Sequence, residues 1–265
     1  LGLFLIMQIP LSIVLATYNE EENIGGCLQS IQRLATEIIV VDGSSQDKTR
    51  EIAKKLGAQV FKVSNKPIFH LNKQLAVDKA SGKWILQLDA DEQISPELAQ
   101  EIKTIVSQEV PQFSGYYLPR KNFFLTGFLT KGGQYPDYVI RLFLKGRGKF
   151  PCQSVHEQII INGPVGYLTN PIIHYSDRHF SRYLIRFNRY TSLDASALYR
   201  QNIKPGIALS INYFLFKPIA WFFSTFFRHK GFVDGLPGFI FSLMSSLRFP
   251  IIYLKFWELD HENRH

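Results

Sequence analysis

Apolar and polar positions in the first hundred residues follow two alternating rhythms. Residues 11–16 (Leu-Ser-Ile-Val-Leu-Ala) are a short apolar run, as in a strand buried on both faces. A helix is predicted from about Glu20 to Arg33, because Ile24, Cys27, Leu28 and Ile31 fall on one face at helical spacing. The alternation then repeats: strand Glu37 to Asp42, helix Gln46 to Leu56 ending at Gly57, strand Ala58 to Val63, helix Leu71 to Ala80, strand Lys83 to Asp89. Ser95-Pro96-Glu97 opens another helix, with Ser as N-cap and Pro in the first helical position. Strands separated by helices predict an α/β fold with a mostly parallel sheet flanked by helices. Binding residues then belong on loops at the carboxyl ends of the strands. Polar residues gather there: Thr17-Tyr18-Asn19-Glu20, Asp42-Gly43-Ser44-Ser45 and Asp89-Ala90-Asp91-Glu92.

From Gly115 to about His174 the pattern changes to short β-like pieces, clearest at Val139 to Leu144, then Ile159 to Ile161 and Ile172-Ile173. Residues 179–201 read as a helix with Tyr183, Phe187 and Tyr190 along one face. Two apolar stretches follow, at about 207–227 and 232–257, so the chain divides into 8–178 and a helical region 179–265. A spanning helix needs ~20 apolar residues. Lys217-Pro218 splits the first stretch, and Arg248-Phe249-Pro250 interrupts the second. Lys204, Lys217, Arg228, Lys230, Arg248 and Lys255 face only one acid, Asp234, between residues 203 and 257. The expectation is a membrane-associating region of amphipathic elements on an anionic cytoplasmic leaflet. A buried helical subdomain and a hairpin through the bilayer are the alternatives.

The net charge of +8 calls for an anionic partner. No block of clustered Lys and Arg with interleaved aromatics points to nucleic acid. Cys27 and Cys152 stand far apart without CxxC spacing, which argues against a disulfide framework or structural zinc and for a reducing cytoplasm. The apolar start, Leu1 to Met7, is too short for a signal sequence or a span, and Met7 is the expected natural start.

Candidate chemistry sits at the strand ends. In an extended backbone Asp89 and Asp91 project to the same side, and two close carboxylates favour a hard divalent cation such as Mg²⁺ or Mn²⁺, which would also hold a diphosphate. A polar loop leading into the next helix is the plain alternative. Asp42 ends an apolar strand and offers an acceptor for a base N–H or a ribose hydroxyl; an Asp-Gly turn with Ser45 as N-cap explains the same residues otherwise. The Thr17 loop holds no G-x-G-x-x-G, which argues against a nicotinamide dehydrogenase, and Asn19 there could simply cap the next helix. Glu92-Gln93 after the Asp pair argues against a HAD-type phosphatase.

Leu-Ala-Thr-Tyr-Asn-Glu-Glu-Glu-Asn-Ile, Val-Val-Asp-Gly-Ser-Ser-Gln-Asp-Lys-Thr and Leu-Asp-Ala-Asp-Glu, in this order, resemble the family-two glycosyltransferases. Gln134-Tyr135-Pro136-Asp137, Arg141-Leu142-Phe143, Val155-His156-Glu157, His174-Tyr175-Ser176 and Gly231-Phe232-Val233-Asp234-Gly235 extend the similarity to a bacterial branch with inner-core lipopolysaccharide glucosyltransferases. The resemblance implies the GT-A fold, Thr17, Asn19 and Glu20 lining a nucleotide pocket, Asp42 near the base, and Asp89 and Asp91 at the metal and diphosphate. Inverting transfer also needs a base for the acceptor hydroxyl. Glu157, His156 and Asp137 are the candidates, and Glu157 is favoured because the family usually uses a carboxylate in this region. In an extended Val155-His156-Glu157 only one of His156 and Glu157 faces the donor. Arg141 is expected either to neutralise phosphate or to form a surface ion pair; His156 and His174 are more often structural than catalytic. The resulting expectation is an inverting, metal-dependent transferase moving a hexose from a nucleotide-diphosphate sugar, a UDP-hexose, to a lipopolysaccharide-type or lipid-linked glycan at the cytoplasmic face of the inner membrane. A polyprenyl-phosphate glycosyltransferase and a catalytically silent nucleotide-binding membrane protein are its rivals.

Overall fold

The computed structural model describes residues 11–66, 68–152 and 158–263. Strand β1 (Leu11–Thr17) buries nearly every side chain, because it lies between parallel neighbours β2 (Glu37–Asp42) and β4 (Trp84–Leu88). Strand β3 (Gln59–Lys62) adds to β2, also in parallel. The register sets Thr17 against Asp42 and Leu15 against Leu88, so the polar clusters read from the sequence emerge along one sheet edge.

The connecting helices bury the predicted faces but start later than expected. Helix α1 (Ile24–Ile31) buries Ile24, Cys27, Leu28 and Ile31. Residues 20–23 form a turn instead, in which the amides of Asn23 and Ile24 both bond to the Glu20 carbonyl. Asn19, with φ +53, therefore stands outside the helix and does not cap it. Helix α2 (Thr49–Lys55) begins where Asp47 accepts from the Thr49 amide and hydroxyl, while Ser45 turns back to Asp42. Helix α3 (His70–Lys79) precedes β4.

After β4 come β5 (Glu92–Ile94) and α4 (Pro96–Val106), whose Ser95 hydroxyl accepts from the Leu98 amide as the N-cap pattern predicts. The remaining strands are β6 (Gly115–Phe124), β7 (Gly127–Phe128), β8 (Asp137–Leu144), β9 (Gly148–Lys149), β10 (Ile160–Ile161), β11 (Val165–Tyr167) and β12 (Ile172–Asp177). The main sheet runs β3-β2-β1-β4-β8-β6-β12-β5. Its first four strands are parallel; β8 joins β4 antiparallel, and the sheet is mixed from there on. Two apolar clusters line this sheet, one around Ile13, Leu15, Leu28 and Leu86, the other around Val14, Val41, Ile85 and Phe143.

The chain forms two compact units: residues up to 120 with 137–174, and residues 121–136 with 175–265. In the second unit, α5 (Phe180–Arg200) buries Tyr183 and half-buries Phe187, whereas Tyr190 is exposed. Residues 207–228 form one continuous helical rod: α6 (Ile207–Ile211), a π turn (Asn212–Phe216), α7 (Lys217–Phe222) and a second π turn (Phe223–Arg228). A 3₁₀ turn (Gly231–Asp234) then leads into α8 (Gly235–Glu262). The predicted breaks at Pro218 and Pro250 do not occur. Proline removes a donor and crowds the carbonyl four residues back, and the wide π turn just before Pro218 accommodates that crowding; Pro250 lies inside the unbroken α8.

One buttress on the sheet is testable. Glu37 Oε1 accepts from the Ser12 hydroxyl at 2.5 Å and from the Ser81 amide and hydroxyl, while the Ser12 hydroxyl accepts from the Gly82 amide at 2.7 Å. Partial burial would raise the Glu37 pKa, but these donors outweigh it and lower it. A lowered folded pKa means that the stabilisation is complete above the ordinary Glu value of about 4.3 and is lost as pH falls through the folded value. Glu37→Gln should destabilise by about 1–2 kcal/mol at neutral pH. In urea melts, the gap between parent and variant should close as the pH is lowered.

Candidate active site

The sheet edge gathers a dense polar set. Arg141 of β8 is buried, and its guanidinium donates to Gln87, to Asp89 at 2.6 Å and to Glu92 at 2.7 Å. Lys73 of α3 closes the other side, 2.5 Å from Asp89. Glu92 is 0% exposed; it also accepts from the Asp89 amide at 3.0 Å and lies 3.7 Å from Arg120. Burial favours a neutral Asp89, but the charges of Arg141 and Lys73 prevail and hold its carboxyl well below the usual range. Burial likewise opposes the charge on Arg141, yet Asp89 and Glu92 raise its pKa further. Arg141 is thus neither a surface pair nor open to an incoming phosphate through the nitrogens bound to Gln87, Asp89 and Glu92.

Asp91 stands beside this set. Its Oδ2 is 3.4 Å from Nε2 of His174, which β12 brings opposite Glu92 of β5 in antiparallel register. Among the described residues no group of three or more His, Cys, Asp or Glu converges as a complete metal cage. One carboxylate and one imidazole at this separation suit a divalent ion that completes its shell with phosphate oxygens and water. Asp89 is the poorer ligand, because both its oxygens already meet cations. Cys27 lies under the pair and donates to the Asp89 carbonyl at 3.6 Å. Burial, and then Glu92, Asp91 and Asp89, push its thiol well up, so it is a packing group and not a thiolate ligand.

The nucleotide-side candidates form a linked pair of loops. Asp42 is 0% exposed and accepts from the Thr17 hydroxyl at 3.0 Å and from the Ser45 amide and hydroxyl, with Arg50 at 3.5 Å. The Asn19 amide donates to the Ser45 hydroxyl and the Asn19 side-chain carbonyl accepts from the Gln46 amide, both at 2.8 Å. The Glu20 amide donates to the Thr49 hydroxyl at 2.8 Å, and its carboxylate accepts from Asn23 at 2.7 Å. Asp42 therefore faces its own chain and fixes the loops that Thr17, Asn19 and Glu20 belong to.

A cleft of about 230 Å³ borders Lys73, Asp89, Arg120 and Arg141, with Phe69, Phe150 and Ile159 on its apolar side. Asp137, one of the three candidate bases, is held by Arg120 through Nε at 3.0 Å and Nη2 at 2.6 Å, and would have to part from it to accept a proton. His156 and Glu157 lie outside the described residues. Lys73 and Arg120 were not singled out in the sequence. Lys73 shares a helix face with Ala76, Val77 and Ala80, and a charge on an apolar stripe was the available signal. For His174 the sequence left a structural role ahead of a direct one.

Comparisons with known proteins give the family. A model of glycosyl transferase family 2 matches residues 12–124. An uncharacterized glycosyltransferase of Rickettsia bellii is 31% identical over 251 residues, covering 88% of this chain and 81% of the relative. The chain belongs to glycosyl transferase family 2. It is thus a glycosyltransferase, and its mixed α/β sheet is the GT-A fold implied by the resemblance. The lipopolysaccharide core biosynthesis glycosyltransferase LpsC of Rhizobium meliloti is 25% identical over 267 residues, 92% of this chain and 93% of that one. A crystal structure of S. aureus TarS 1-349 aligns over 96% of this chain and 92% of that chain, with 15% identity and a TM-score of 0.47.

The charge balance of this glycosyltransferase is testable by a double-mutant cycle. Arg141→Met leaves Glu92 buried without its main cation and should cost about 3–5 kcal/mol in urea unfolding. Adding Glu92→Gln should recover part of that loss; additive losses would show that the two do not interact.

Proposed function

We propose that the chain is an inverting, metal-dependent glycosyltransferase that moves a hexose from a nucleotide-diphosphate sugar, a UDP-hexose, to a lipopolysaccharide-type or lipid-linked glycan acceptor. The observation that carries this is Asp91 meeting His174 beside an Asp89 already neutralised by Lys73 and Arg141. In this reading Asp91 and His174 hold Mg²⁺ or Mn²⁺, and Asp89 acts mainly as the partner that keeps Lys73 and Arg141 in place. The ion, when bound, would neutralise charge on the departing nucleoside diphosphate. Thr17, Asn19 and Glu20 shape the nucleotide pocket, and Asp42 orders their loop from beneath. Lys73 and Arg120 border the cleft, each already paired with a carboxylate, and offer N–H donors to an anionic substrate. Glu157 takes the proton from the acceptor hydroxyl; His156 and Asp137 are the alternative bases.

The acceptor class is supported by the likeness to LpsC, whose name specifies lipopolysaccharide core biosynthesis. Work at the cytoplasmic face of the inner membrane fits the basic, apolar region after residue 203. The sugar is transferred within the unit holding the Asp pair, and the C-terminal helices bring it to the membrane.

A panel of sugar nucleotides, assayed with and without Mn²⁺ or Mg²⁺, tests the reading directly. Turnover should depend on metal, and Asp91→Asn or His174→Ala should each lower kcat/KM by about 100-fold or more and raise the metal concentration needed for half-activity. No turnover of any donor with either ion would favour a silent nucleotide-binding protein. Glu157→Gln should cost a further ~10²–10⁴ in transfer. Unchanged transfer in that variant would point to an acceptor that is already an anion, such as polyprenyl phosphate.

A further inference from the structure

Both apolar helical segments, Ile207–Arg228 and Gly231–Glu262, are long and apolar enough to cross a membrane. Their packing within the second unit argues that they do not. The turn between them is bonded to the loop that follows β7, the strand paired with the end of β6: Asp234 accepts from the Thr130 amide at 3.0 Å, the Thr130 hydroxyl at 2.6 Å and the Lys131 amide at 2.8 Å. The Gly132 amide donates to the His229 carbonyl at 2.8 Å, and the neighbouring Leu129 amide donates to Asn122 within β6. The turn is also tightly built, since a Cβ on Gly238 would meet the Gly231 carbonyl at 2.0 Å. This turn therefore stays on the side of the membrane where the β6 strand lies, because sheet edges are not found in hydrocarbon.

The other ends of the two helices would then have to lie beyond the bilayer. Helix α5 packs against α8 near both of its ends. Tyr183 and Phe187 pack with Phe241 and Met244 near one end, and Ala195 and Leu198 pack with Ile252 and Phe256 near the other. Lys255 donates to Asn188, Thr191 and Ser192 in between. A crossing α8 would pull α5 through with it, together with Arg182, Arg186, Arg189 and Asp194. Each such charge at mid-bilayer is strongly unfavourable.

We propose that this unit docks on one leaflet with both apolar helices lying in the interface, and that the corner formed by Lys131, Arg228, His229 and Lys230 meets anionic lipid head groups. The inference rests on the membrane reading above and deepens it. The corner carries exposed apolar side chains beside its basic ones: Phe232 is 50% exposed, Val233 56% and Leu236 68%. Asp234 is the only acid between residues 203 and 257, and its carboxylate is taken up by Thr130 and Lys131. The corner therefore offers positive charge to a phosphate-bearing surface and apolar wedges to its acyl boundary.

Two measurements test this on the full chain. Arg228→Cys and Lys204→Cys place thiols at opposite ends of a helix of 22 residues, about 33 Å apart. A membrane-impermeant maleimide should label both from the cytoplasmic side of membrane vesicles, relative to the parent chain; labelling from opposite sides, or failure of either position on that side, overturns the one-leaflet topology. In flotation with phosphatidylcholine vesicles with and without phosphatidylglycerol, the parent should prefer the anionic ones. Arg228→Gln with Lys230→Gln should weaken that binding about 25-fold, at roughly fivefold per charge, with metal-dependent sugar-nucleotide hydrolysis unchanged. Equal binding by parent and variant overturns the corner alone. Failure of the parent to bind either vesicle overturns the membrane reading on which it rests.

Discussion

The structure of the polar sheet edge depends on one buried guanidinium. Arg141 joins β8 to the parallel half of the sheet at the position where charge is hardest to bury, and it is tolerated because Gln87, Asp89 and Glu92 surround it. One cation between two carboxylates would leave an excess of negative charge. Lys73 supplies the missing positive charge from α3, so two cations and two anions form a set that needs no ligand to be neutral. Such a set is weak evidence for stability in itself, since well-packed apolar residues often do as well. Its value is positional: Glu92 accepts the Asp89 amide and so fixes the turn that carries Asp91.

This separates two carboxylates that the sequence presents as equals. Asp89 and Asp91 lie two residues apart and were both expected at a metal. The fold gives Asp89 to the cations of its own chain and turns Asp91 toward His174 of a distant strand. Local spacing could predict that the two side chains emerge together. It could not show which one would be met by Arg141, 52 residues away, or by Lys73, because those contacts exist only once β8 and α3 are in place. Asp42 makes the same point: its strand-tip position was legible, but its full enclosure by Thr17, Ser45 and Arg50 was not.

The parallel half of the fold was legible because its signals are local. Apolar runs mark β1, β2 and β4, and the faces of α1 and α4 follow helical spacing. Helix starts were missed where a side chain from one loop replaced the expected cap in another, as when Ser45 serves Asp42 and Asp47 starts α2. The mixed half was harder, since antiparallel pairing of β8 with both β4 and β6 is set by long-range register and not by any turn signal.

The proline misreading in the C-terminal region has a further consequence. Lys217-Pro218 was expected to divide the apolar stretch and so to favour amphipathic elements over a hairpin through the bilayer. The continuous rod removes that reason, because a helix with π turns can carry a proline and still reach across a bilayer. The case for an interfacial unit now rests on connectivity. A turn tied to residues 130–132 and a charged helix packed along α8 constrain topology more tightly than a break in hydropathy does. Length and hydropathy describe each helix alone, whereas a membrane must accommodate everything packed against it. For α8 that includes Asn188 and Thr191 of α5, which hold Lys255 by hydrogen bonds that a spanning arrangement would carry into hydrocarbon along with the arginines of the same helix.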